Sequence, residues 1–449
     1  MTFTAPALPA MSRVRWTVCA LLFFATTINY VDRQVLSILA KTLETSVGWN
    51  SEAYGYITAA FQATYAIGML GAGRFIDWLG NTRKGYGIAV GLWSLAAVAH
   101  AAAASALAFG VARAALGIGE SVSFPACIKT VAEWFPKKER ALATGIFNSG
   151  ANIGAIVAPL AVPWMALHYG WQSAFIATGS LGFVWILFWL LLYDKPTKRR
   201  GVSAGELALI QSDPPDKMAL VPWARLFPRR GTWAYGIGKF LTDPVWWFFL
   251  FWLPKYLQEA FSLPMQGIIL PTIVVYNIST IGSIGGGWIS SGLIKRGWTV
   301  NAARKTAMLI CALAVVPVLY APFCKSLWGV VALVGVAMAA HQGWSANLYT
   351  IVSDVFPRSA VGSVIGIGGA IGAAGGVLMQ LIAGKVVHAG EALQDGKLVV
   401  HAHTYLPLFL FSGIAYVAAL IVIQSMTPKL AAEAVEGCFR DGFDVRNRF

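Results

Sequence analysis

The sequence predicts an all-α membrane protein with twelve transmembrane helices arranged as two related six-helix bundles. Three observations carry that prediction. Apolar residues make up 57% of the 449 positions and charged residues only 12%, about half the charged fraction of an ordinary soluble domain. Apolar runs of roughly 20 residues, the length that crosses a bilayer core, recur along the chain. A Phe-Pro-basic step, Phe135-Pro136-Lys137, leads into a Gly-rich stretch from Gly145 to Pro159. The same step returns 221 residues later as Phe356-Pro357-Arg358, before Gly366 to Gly376. Duplication of six-helix halves places a binding site at midplane between repeats.

The helices follow in order. In the first half they fall near 14–40, 54–76, 85–105, 107–133, 140–165 and 171–193. In the second half they fall near 232–259, 266–293, 304–322, 327–352, 359–387 and 404–426. The 46 glycines are spread through these runs, as expected where helices pack closely in lipid. The chain divides into an N-terminal bundle (1–193), a polar central loop (194–231) and a C-terminal bundle with a tail (232–449). The loop holds Lys198-Arg199-Arg200 and Asp213-Pro214-Pro215-Asp216, with a short amphipathic helix around Ala204–Gln211.

The net charge of +14 sits in short loops, so it argues for orientation in a membrane and not for nucleic-acid binding. Arg83-Lys84, Lys137-Lys138-Arg140, Lys295-Arg296, Arg304-Lys305 and Arg358 fall on one side with the central cluster. Both termini are therefore expected in the cytoplasm. Arg13 and Arg15 precede an apolar run that ends in Asn29-Tyr30-Val31-Asp32-Arg33, with no small-residue cleavage site. The run is read as one long first helix with charges inside it. The five cysteines have neither metal-ligand nor disulfide-framework spacing. The helices carry no Ser-His-Asp or zinc constellation, so the chain is not expected to be an enzyme or to hold a metal.

Charge at bilayer depth is expensive and marks candidate functional positions. Asp32 and Arg33 lie in the first helix, Arg113 and Glu120 in the fourth. Arg113 and Glu120 are two turns apart and share a face. Asp32 and Arg33 point about 100° apart, so each needs a partner on another helix. An arginine fork grips a carboxylate, and a carboxyl in a dry site can take and release a proton. The alternative is that these four residues are ion pairs that tie helices one and four together.

Lys239 and Asp243, four apart on the seventh helix, either form a neutral pair or belong to a site. Pro244 and Trp246-Trp247 follow, and Trp247 could serve as a gate or sugar platform. On the tenth helix Gln342 and Asn347, and His341 beside them, could bond hydroxyls or simply glue helices. Asn148 and Asn152 on the fifth helix have the same two readings, and Tyr65 on the second carries a phenol that burial would force into a hydrogen bond.

Gly73-Arg74-Phe75-Ile76-Asp77-Trp78-Leu79-Gly80-Asn81-Thr82-Arg83-Lys84 resembles the signature loop of the major facilitator superfamily. The resemblance implies that fold and a cytoplasmic charge latch drawn from Gly73, Asp77, Arg83 and Arg140. The second-half counterpart, Gly285 to Arg296, has Ser291 where the acid would be. Asn29-Tyr30-Val31-Asp32-Arg33, Glu133-Trp134-Phe135-Pro136 with Glu139-Arg140-Ala141, and Ser353-Asp354-Val355-Phe356-Pro357 are similar to the anion:cation symporter family. Phe240-Leu241-Thr242-Asp243-Pro244 and Ala340-His341-Gln342 resemble its bacterial hexuronate transporters.

That resemblance implies proton-coupled import of a sugar acid such as galacturonate or glucuronate. Another organic anion (aldonate, aldarate or aromatic acid) is the alternative, and export by the same fold a more distant one. It assigns proton coupling to Asp32 and Glu120. It assigns substrate carboxylate binding to Arg33 and Arg113, with Tyr30 and Tyr65 nearby. The expected setting is a bacterial cytoplasmic membrane, with a monomer working on proton and anion alone and no further cofactor.

Overall fold

The computed structural model describes residues 12–213, 221–356, 358–394 and 397–430. The helices are α1 (Val14–Val47), α2 (Ser51–Trp78), α3 (Thr82–Ala99), α4 (Ala106–Ser121), α5 (Ser123–Trp134), α6 (Lys137–Tyr169) and α7 (Trp171–Leu192). Two short helices, α8 (Ala204–Ile210) and α9 (Trp223–Leu226), lie in the central stretch. Then come α10 (Arg230–Ala260), α11 (Ile269–Lys295), α12 (Val300–Val315), α13 (Leu327–Val355), α14 (Arg358–Ala389) and α15 (Leu406–Met426).

Among the described residues, ten helical segments are long and apolar enough to cross a membrane, α4 and α5 together forming one of them. The 28-residue α2 and the 31-residue α10 are long enough as well, but they carry polar residues along their length. Together these are the twelve expected spans. Exposed Leu181, Phe183, Leu187, Phe188 and Leu191 on α7 make an outer face suited to lipid.

The structure departs from the sequence reading in three places. α1 continues to Val47, past the expected end near residue 40. The fourth span breaks at Val122 into α4 and α5. Pro125 has no N–H to return to the Ser121 carbonyl, which is sufficient cause. An antiparallel hairpin pairs β1 (Glu391–Gln394) with β2 (Lys397–Val400).

The chain forms two compact units, Met1–Trp49 with Ala63–Asp216, and Asn50–Gln62 with Lys217–Phe449. The first turns of α2 group with the second unit because Tyr54 donates to the Phe251 carbonyl at 2.6 Å and Lys255 donates to the Ser51 hydroxyl. Gly55 also lies so close to Gly384 that a Cβ there would stand 2.7 Å from the Gly384 Cα.

Glycine sets the close approaches inside each unit. In the first, a Cβ on Gly154 of α6 would stand 2.6 Å from the Thr27 carbonyl oxygen of α1, and Gly119 of α4 rests on the Trp93 backbone of α3. In the second, Gly286 of α11 meets Gly343 of α13 backbone to backbone. Helices in lipid gain little from hiding apolar surface from each other, so such dispersion contacts carry the association.

Candidate functional site

In the first unit α1 and α4 bring their charges together. Arg33 Nε donates to Glu120 Oε2 at 2.6 Å, with side chains 3% and 0% exposed. The guanidinium stands 4.9 Å from the Tyr30 ring and 4.7 Å from the Tyr65 ring. A cation flanked by two aromatic faces keeps favourable electrostatics without water. Arg113 Nη2 donates to the backbone carbonyl of Arg33 at 3.0 Å, so the fourth helix grips the first through a second bond. The glycine at 119 allows α3 to close behind this cluster.

The acids are less fully satisfied. Glu120 Oε1 and both oxygens of Asp32 are buried and make no hydrogen bond among the described residues. Asp32 has Glu120, Thr178 of α7 and Arg113 as its electrostatic neighbours. Buried polar groups without partners are rare and usually have a function. Four charges that sequence reasoning could only set on two helices thus form one cluster, with the Arg33–Glu120 ion pair in it.

In the second unit Lys239 and Asp243 do pair. Lys239 Nζ lies 2.8 Å from Asp243 Oδ2 and 3.0 Å from Oδ1. It also lies 3.4 Å from the Tyr349 hydroxyl of α13 and 4.9 Å from that ring. Trp247 stacks on Phe251 at 5.7 Å and lines the glycine step at Gly376. Its neighbour Trp246 stacks on His341 at 5.2 Å, and His341 Nδ1 bonds the Tyr416 hydroxyl at 2.6 Å.

The amide candidates separate. Asn347 donates to the carbonyls of Gly286 and Gly343, both at 2.9 Å. Its amide nitrogen is spent on the α11–α13 contact, which is the glue reading. Gln342 is half-buried and makes no hydrogen bond among the described residues. Asn148 is exposed and Asn152 half-buried. They sit on the side of α6 away from Gly150 and Gly154, the face that packs on α1.

At the inner end, Gly73 and Asp77 have side-chain positions outside the described residues. Arg83 reaches Asp194 at 3.4 Å and the Leu190 carbonyl. Arg140 donates to the Phe135 and Ala132 carbonyls at 3.0 and 3.2 Å, capping the end of α5 with a cation. In the other half Arg304 meets Asp354 at 3.2 Å and the Ser290 hydroxyl at 2.9 Å.

Three features escaped sequence reasoning. His100 is fully buried, stacks on Phe175 at 5.1 Å and bonds the Ala96 carbonyl through Nδ1 at 2.7 Å. A carbonyl can only accept, so Nδ1 carries the proton, and Nε2 is a buried acceptor without a bond. The rule that flagged Asp32 would have found it. Asn29, one turn before Arg33, neighbours Glu120. In the second unit buried Lys255 lies 3.7 Å from Glu259, which accepts from Tyr405 at 2.6 Å.

Two acids outside the spans anchor ends. Glu206 of α8 accepts from the backbone N–H groups of Val14 and Arg15 and from the Arg15 guanidinium at 3.0–3.1 Å. Burial pushes its carboxyl up, but these bonds and that of Ser12 outweigh it and hold the group below the usual carboxylate range. Glu391 accepts from the Ser51 N–H at 2.8 Å. Burial again pushes up, and the bonds from Ser51 and His388 with the Lys255 charge bring it below the usual range.

A family model described as Major Facilitator Superfamily matches residues 22–380. The chain is 30% identical over 383 residues to the hexuronate transporter of Escherichia coli (strain K12), covering 83% of this chain and 88% of that protein. It is 32% identical over 311 residues to the galacturonate transporter of Dickeya chrysanthemi, covering 68% and 89%. Among solved structures it matches a bacterial homolog of the human lysosomal transporter Spinster, in an inward-facing and occupied conformation. That match has a TM-score of 0.72 at 19% identity, over 93% of this chain and 97% of that one. It speaks to fold alone.

Proposed function

This chain belongs to the Major Facilitator Superfamily and is a multi-pass membrane transporter, not an enzyme; we propose that it is a proton-coupled symporter importing a sugar acid, a hexuronate such as galacturonate or glucuronate, by alternating access. The observation that carries the reading is the buried Arg33–Glu120 pair at 2.6 Å with Arg113 beside it. The named activities of the similar hexuronate and galacturonate transporters support the substrate class.

The proposed cycle follows from charge. A substrate carboxylate competes with Glu120 for Arg33, and Arg113 adds a second guanidinium. Glu120, parted from its cation at bilayer depth, would be a costly bare charge, and taking a proton removes that charge. Asp32 is the second proton carrier. Tyr30, Tyr65, Lys239, Trp247 and Gln342 are proposed to contact the sugar. The chain works in a bacterial inner membrane with both termini in the cytoplasm, a reading supported by the excess of basic residues in the loops on that side. Anion and proton shift the two access states only through different affinities for them.

Purified protein in liposomes with an inward proton gradient tests this. Glu120→Gln is expected to abolish gradient-driven accumulation while keeping counterflow of labelled substrate. Accumulation at the wild-type level in that variant would remove Glu120 from coupling.

A further inference from the structure

The pair on α10 bears on which sugar acids the carrier accepts. Lys239 lies nine residues into α10, about 14 Å from its start at Arg230, well inside the hydrocarbon depth. Its ammonium is occupied by both oxygens of Asp243, at 2.8 and 3.0 Å, and by Tyr349 at 3.4 Å. Gly372 of α14 fits against the carboxylate, where a Cβ would stand 2.5 Å from Asp243 Oδ2. The pair is not sealed, because the Asp243 side chain keeps 16% exposure and that of Lys239 7%. A partly exposed ion pair at this depth faces the bundle interior or a water-filled path and not lipid.

Its net charge is zero. In the first unit the cation of Arg33 is matched by Glu120 and Arg113 lies beside the pair, so the first carboxylate of a substrate is met there. A sugar acid with two carboxylates brings a second negative charge. Any carboxylate that reaches the exposed edge on α10 meets the oxygens of Asp243, and Lys239 is already taken. Like-charge juxtaposition in such a setting costs several kcal/mol. A hydroxyl, by contrast, can donate to Asp243 or accept from Lys239 at no charge cost.

Resting on the sugar-acid reading above, we propose that Asp243 is a specificity-determining residue that restricts this carrier to sugar acids with a single carboxylate, uronates and aldonates, and rejects aldarates. The rejected group is the second carboxylate, and the accepted group in its place is the aldehyde-derived or terminal hydroxyl end of the sugar.

The test uses stereochemically matched probes in proteoliposomes under an inward proton gradient: galacturonate, galactonate and galactarate, the last with two carboxylates. The wild type is expected to carry one of the first two at least about tenfold faster than galactarate, the least that a several-kcal/mol repulsion allows. In Asp243→Asn, which frees the lysine and removes the negative charge, the ratio of galactarate to monocarboxylate uptake should rise about tenfold. Lys239→Met should not raise it. Equal wild-type rates for galactarate and the best monocarboxylate overturn the proposal. So does an unchanged ratio in an Asp243→Asn protein that still transports. If that variant does not fold, the wild-type ranking decides. If the wild type carries none of the three, the sugar-acid reading itself fails and this inference falls with it.

Discussion

Two ion pairs within the spans, Arg33–Glu120 and Lys239–Asp243, are built differently. Arg33–Glu120 joins α1 to α4 across 87 residues of sequence, whereas Lys239–Asp243 spans one turn of a single helix. Breaking the first unties two helices from each other. Breaking the second changes the charge of α10 and leaves its helix whole. An interhelical pair is therefore suited to report binding as motion, and an intrahelical pair is suited to set a local charge. The first is placed for coupling and the second for selection.

The sharpest way to break the comparison is to remove one cation from each pair. Arg33→Met leaves Glu120 buried without its partner, and uncompensating a buried pair costs about 3–5 kcal/mol. Thermal unfolding in detergent should show a large drop, and Arg33→Met/Glu120→Gln should recover most of it without recovering transport. Full stability in the single variant would mean that the pair does not tie the helices. Lys239→Met leaves an acid that keeps 16% exposure, so a smaller loss of about 1–3 kcal/mol is expected. A loss equal to that of Arg33→Met would erase the distinction.

Glycine contacts offer an intermediate probe. Gly154→Ala pushes a methyl against the Thr27 carbonyl of α1, and overpacking of this kind costs about 1–3 kcal/mol. It strains the same helix that carries Arg33 without touching its charge. A loss of coupling there with no loss of stability would show that helix position, not charge, dominates.

The smallest effect concerns Glu206, which caps the start of α1. Burial raises its carboxyl, but the bonds from Ser12, Arg15 and Val14 outweigh that and hold it below the usual range. Its stabilising contribution is therefore present above that range and lost as pH falls through the depressed value. Glu206→Gln should cost about 1.5 kcal/mol at neutral pH and converge with the wild type in acid. Parallel stability curves at all pH values would exclude this cap.

Much of this was legible because membranes make some residues conspicuous. Asp32, Arg33, Arg113, Glu120, Lys239 and Asp243 stood out by cost alone, and the repeat stood out by its spacing. That spacing holds further than the Phe-Pro step: Arg304 and Asp354, which meet at 3.2 Å, lie 221 residues after Arg83 and Glu133. In the first half the residues at those positions have other partners, Arg83 with Asp194 at 3.4 Å and Glu133 accepting from Thr82 and Tyr193 at 2.8 and 2.7 Å.

Partner choice was not legible, because cost marks a residue without saying which neighbour reaches it. Arg113 holds a backbone carbonyl of α1, a contact that its spacing from Glu120 along its own helix does not foretell. Asn347 reads as a ligand by type, and only the glycine contact between α11 and α13 shows where its amide is used. The division of α2 depends on Lys255, whose partner Ser51 is 204 residues away.

The central claim is that an anion displaces Glu120 from Arg33 and that Glu120 then takes a proton. Proton uptake on ligand binding tests it most directly, using purified protein in weakly buffered detergent, a pH indicator and a saturating sugar acid. Per anion bound, the wild type should absorb about one proton more than Glu120→Gln. Equal uptake by both proteins, or none by the wild type while the anion binds, would contradict the account.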